Sequence, residues 1–120
     1  MKSLPDALTE WAASLDDGNR AAVRLLIEHD FWLHRKDFLE PCVHVDRHGM
    51  AWVSWPTAGE LLERAEFDVP DSALALLDFA ICLAEDAFRL SRLEPANRAL
   101  VVGAVIVAVG GDRLAVRTDE

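Results

Sequence analysis

The sequence predicts an α+β domain that is predominantly helical, with five to six helices and one small two-stranded β-hairpin. Three observations carry that prediction. Apolar residues recur at helical spacing through most of the chain, one stretch near residues 42–55 alternates as strands do around a glycine turn, and cap residues and prolines punctuate the helical runs. At 120 residues, with 52% hydrophobic and 28% charged side chains, the chain has the size and composition of one globular domain. That domain is expected over 1–111, with a mobile tail at 112–120.

Ser3, Pro5 and Asp6 supply a cap, an early proline and a first-turn acid, and Leu4, Leu8, Trp11, Ala12 and Leu15 repeat at helical spacing, so a helix is expected to about residue 15. Asp16-Asp17-Gly18-Asn19 reads as a turn in which Asn19 caps the next helix, whose apolar stripe is Ala22, Val23, Leu26 and Ile27. A short third helix is expected over His34–Glu40, closed by Pro41, which biases Glu40 away from helical angles. Val43 and Val45, expected to face the core, then alternate with Cys42, His44 and Asp46. Arg47-His48-Gly49 forms the turn, and Met50–Trp55 the return strand, ended by Pro56.

Thr57 with Glu60 resembles a capping box ahead of Leu61, Leu62, Ala65 and Phe67, which predicts a fourth helix. After the Val69-Pro70-Asp71-Ser72 break, two apolar seams run from Leu74 to Phe88 and from Leu76 to Leu90, leaving only a narrow face for Asp78, Cys82, Glu85 and Arg89. Residues Ala99–Val109 would suit a β-hairpin by their β-branched content. Helix is favoured, because Pro95 fits a first turn and Gly110-Gly111 a stop.

The net charge of −9 repels phosphate backbones over most of the surface. The charge is unevenly spread: 57–95 sets nine acids against Arg64, Arg89 and Arg92, whereas 20–56 balances five cations with five anions and holds all four histidines. The N-terminal residues lack the apolar run of a secretory signal, and the longest apolar stretch, Ala99–Gly111, is about half a bilayer-spanning helix, so a cytoplasmic protein without a membrane segment is expected. Cys42 and Cys82 are read as free buried thiols.

Two stretches carry a resemblance. Trp32-Leu33-His34-Arg35-Lys36-Asp37-Phe38 is similar to a W-L-x-R-x-D-F signature, and Leu93-Glu94-Pro95-Ala96-Asn97-Arg98-Ala99-Leu100-Val101 to an L-D-x-x-N-x-x-L-V signature. Both signatures occur, in that order, in an uncharacterised family of small actinobacterial and mobile-element proteins. The resemblance spans roughly residues 20–111 and departs at Glu94 and Pro95, where the family tends to have Asp and Arg. It implies a final helix ending at glycine. It transfers no chemistry, because the family has no assigned function.

His29, His34, His44 and His48 lie within twenty residues. On a strand, Cys42, His44 and Asp46 would share a face, and these are zinc-ligand types. Their spacing matches no metal motif, and polar residues alternating with valines are what any half-exposed strand shows, so no metal and no cofactor is assigned. Helix pair, short helix and hairpin is also the order of elements in a winged helix, with Arg35, Lys36, Arg47 and His48 as phosphate or base contacts. Asp37, Glu40 and the overall charge oppose that reading. Asp78, on an otherwise apolar helix, is expected to need a buried donor such as Arg98, and Glu85 to pair with Arg89.

No nucleophile elbow, phosphate-binding glycine loop or HExxH motif is present, so no catalytic residue is assigned. Trp52 and Trp55 are placed on opposite faces of one strand, which exposes one of them as a contact surface. The sequence therefore predicts a non-enzymatic interaction or regulatory module. It would act as a homodimer through helices 73–90 and 96–109, and its candidate contact residues are His34, Arg35, Lys36, Arg47, His48, Trp52 and Trp55. A winged-helix DNA-binding regulator is the alternative, and a metal-binding protein using the histidines the third.

Overall fold

The computed structural model describes residues 2–111. Its elements are those of a predominantly helical α+β fold: six helices and one two-stranded antiparallel sheet among the described residues. The chain divides into two compact units, residues 1–88 and 89–120. The tail expected at 112–120 lies outside the described residues.

In the first unit, α1 (Leu4–Ala13) starts where Ser3 accepts the Asp6 N–H, as its sequence requires. Helix α2 (Asp17–His29) is capped by Asp16, whose carboxylate accepts the Asn19 N–H at 2.9 Å. The expected cap, Asn19, is instead inside the first turn. That hydrogen bond holds the Asp16 carboxyl below its usual range. A 3₁₀ turn, Trp32–His34, leads to α3 (Lys36–Cys42). Pro41 lies inside α3 and does not close it. The helix runs only one residue further, so the missing N–H costs a single backbone bond.

The hairpin is β1 (Val43–Val45) and β2 (Ala51–Val53), with Val43 opposite Val53, His44 opposite Trp52 and Val45 opposite Ala51. Ala51 and Val53 are buried, and β2 packs on α1. Helix α4 (Trp55–Glu63) begins two residues before the predicted capping box, because Pro56 fits the first turn and Ser54 and Thr57 join hydroxyls at 2.8 Å. Trp55 is therefore a helix residue, not a strand one. Helix α4 ends with Ala65 in the left-handed region (φ 54°) and a Glu66 N–H to Leu61 carbonyl bond. That conformation disfavours a side chain. Ala65→Gly is expected to raise stability by about 0.5–1 kcal/mol, read from the urea midpoint, and a loss would show that the side chain contributes there.

Helix α5 (Asp71–Ala84) lies against α2 and α4. It stops six residues short of the apolar pattern. Asp86 turns left-handed, Ala87 donates to the Cys82 carbonyl and Asp86 to that of Leu83. Arg89 lies beyond the helix at φ 55°, so the expected Glu85–Arg89 spacing does not exist. Asp78 is exposed and needs no buried donor; the Cys82 thiol donates to it at 3.9 Å.

The core of this unit is centred on Trp32, Phe38, Leu8, Leu26, Leu77 and Cys42, all fully buried. Trp32 meets Phe67 at 4.9 Å and Phe38 at 5.5 Å between ring centroids, and its indole N–H donates to the Ala73 carbonyl. The Trp32–Phe38 signature is thus a packing motif: Trp32, Leu33 and Phe38 fill the core while Arg35 and Asp37 pair beside it.

The second unit contains a 3₁₀ turn, Leu90–Arg92, and α6 (Pro95–Ala108). The helical reading of its apolar run holds, and Gly110 in the left-handed region follows it. Arg98 donates to the Leu93 carbonyl at 2.7 Å. No helix among the described residues is long and apolar enough to cross a membrane.

Candidate interaction site

Of the ten residues singled out by sequence, eight occupy two settings, and Cys42 and Trp55 lie in the core. His34, Arg35 and Lys36 surround the start of α3. The His34 imidazole meets the Asp30 carboxylate at 2.6 Å, and both side chains are exposed. Arg35 donates two hydrogen bonds to Asp37, at 2.9 and 2.7 Å, and lies over the Phe31 ring. The guanidinium holds the Asp37 carboxyl below its usual range. Lys36 is exposed.

The second setting is the hairpin. Asp46 spends one carboxylate oxygen on the turn, accepting the N–H groups of His48 and Met50 at 2.9 and 3.0 Å. This fixes the tip, where Arg47 and His48 are exposed. On one face of the ladder His44 and Trp52 are cross-strand neighbours, ring centroids 5.6 Å apart. Around the hairpin the large apolar side chains Val45 (61% exposed), Met50 (59%) and Trp52 (37%) face solvent.

Three expectations change here. Val45 shares the ladder face of buried Ala51 but lies at the turn end of the ladder, where it is 61% exposed, so it is not core. Trp55 is buried, its indole donating to Asn19 at 3.0 Å, which leaves Trp52 as the exposed tryptophan. Cys42 ends α3 in the core. Burial, then the Asp37 charge, pushes its thiol up to about 11, so it is the protonated form that sits there. With Cys42 in the core and Asp46 bonded to the turn, these two do not join His44 as a ligand set, and no group of three or more such residues among those described could hold a metal.

Met50 and Val45 were not candidates by sequence. An apolar residue carries no mark of whether its neighbours will cover it. A second surface feature is an open groove of about 590 Å³ between α1 and α2, floored by Ala12, Ala13, Val23 and Ile27. The arginines at its rim are committed, Arg20 to Asp17 and Arg24 to Glu28. No family model matches the chain, and neither a curated protein nor a solved structure matches it.

Proposed function

We propose that this chain is a non-enzymatic protein-interaction or regulatory module that acts as a homodimer and uses the hairpin as its contact surface. The observation that carries this reading is the clustering of Val45, Met50 and Trp52 in solvent around a turn that Asp46 holds rigid. Aromatic and methionine side chains on a pre-ordered element are the composition of interface anchors, since little conformational freedom is lost when they are covered. The same segment is charge-balanced in a chain of −9, so a protein surface can approach it without the repulsion met elsewhere.

The winged-helix alternative draws on the order α2, α3, β1, β2. It is disfavoured by the α3 side chains: Phe38 and Cys42 face the core, and Arg35 is committed to Asp37 beside it. A photo-reactive amino acid at position 52, compared with one at exposed position 24 on α2, tests the reading in living cells. Protein adducts at position 52 and none at 24 are expected. Equal yields at the two positions, or nucleic-acid adducts at 52, would overturn it.

A further inference from the structure

The hairpin has a free edge whose backbone geometry can be read from its ladder. Ser54 donates to the Cys42 carbonyl at 2.7 Å, and Asp46 donates to that of Met50 at 2.9 Å. The hydrogen-bonded pairs are therefore 42/54, 44/52 and 46/50, and by the alternation of an antiparallel ladder Val43 and Val45 turn their N–H and C=O groups away from β2. The Val43 N–H closes the end of α3 on the Leu39 carbonyl. The outer edge of β1 accordingly presents the Val45 N–H and C=O and the Val43 C=O.

Resting on the homodimer in the reading above, we propose that a second copy of this chain covers that edge. Its β1 would pair antiparallel with β1 about a two-fold axis through His44. Three observations favour a second copy as the occupant. First, the edge is self-complementary: with His44 on the axis, Val45 faces Val43 of the partner subunit, and the Val45 N–H donates to its carbonyl, twice by symmetry. Second, the pairing places Val45 beside Val43 of the partner subunit on one face, covering the most exposed large apolar side chain of the hairpin. On the other face it sets His44, already stacked on Trp52, beside His44 of the partner subunit. Third, residues 43–45 carry no formal charge with neutral histidine, so two chains of −9 meet here without opposing like charges. The edge also lacks the lysine, proline or bulge with which free strands are commonly blunted.

A three-residue strand makes a small interface, so the dimer is reversible. Sedimentation velocity of the full chain, from about 1 to 100 μM, reads it. Wild type is expected to move from monomer to dimer across that range. Val45→Pro removes the outward N–H and leaves the internal ladder bonds in place. His44→Glu puts two carboxylates opposite each other on the axis while altering only an exposed side chain. Each is expected to weaken association at least tenfold, with unchanged thermal unfolding of the monomer. Phe79→Asp, on the exposed aromatic pair of Phe79 and Phe88, is expected to leave it unchanged. Wild type that stays monomeric overturns both this pairing and the homodimer. Wild type that dimerises with both hairpin variants unaffected overturns the pairing alone and returns the dimer to another surface.

Discussion

Trp32→Ala is expected to lower the unfolding free energy by about 3–5 kcal/mol. The side chain is fully buried, touches the Phe38 and Phe67 rings, and gives its only polar hydrogen to the Ala73 carbonyl. Truncation would open a cavity and remove the second hydrogen bond that the Ala73 carbonyl accepts beside its helical one in α5. For a domain of this size the loss is a large share of total stability, so urea unfolding with circular dichroism should find the variant largely unfolded or its midpoint sharply lowered. Trp32→Phe keeps most of the packing and loses the hydrogen bond, and a smaller loss of about 1–2 kcal/mol is expected. Trp52→Ala is the contrast. Its ring is exposed, and a change within about 0.5 kcal/mol is expected. Equal losses at positions 32 and 52 would contradict the division between a buried Trp32 and an exposed Trp52.

Gly18→Ala is expected to destabilise by about 1–3 kcal/mol, although helix propensity alone predicts a gain. Gly18 lies in the first turn of α2, and a Cβ there would come within 2.3 Å of the Leu83 carbonyl oxygen, a backbone atom that cannot turn aside. Beside it, the Asn19 amide donates to the Ala84 carbonyl at 3.2 Å and to Asp16 at 3.0 Å, while its oxygen accepts the Trp55 indole. Three helices thus meet at one glycine and one asparagine. The sign of the Gly18 effect separates the two accounts: a higher urea midpoint for Gly18→Ala would mean that α2 and α5 do not approach this closely.

That junction also explains where sequence reasoning stopped short. The apolar seams of α5 continue to Leu90, and a helix written from periodicity alone runs with them. It ends at Ala84 where Asn19 takes that residue's carbonyl and the backbone closes through Ala87 and Cys82. The partner is 65 residues away in sequence, so no local pattern announces it. Pro56 shows the same limit at shorter range. A proline between an alternating run and a capping box suits the end of a strand or the first turn of a helix equally, and the burial of Trp55 against Asn19 selects the helix.

By itself, the sequence determined that the chain is mostly helical with one hairpin, that Ser3 starts the first helix, that Arg47-His48-Gly49 turns the hairpin, and that a helix follows Pro95. Those features depend on capping, on φ restriction and on the 3.6 and 2.0 residue periods, all properties of neighbouring residues. Only the tertiary structure decided which tryptophan is core and which is surface, that Val45 is uncovered, that Cys42 is sealed away from His44, and where α5 ends. Each of these depends on which distant side chain or carbonyl fills the adjacent space, and packing of that kind is not encoded in any short stretch of chain.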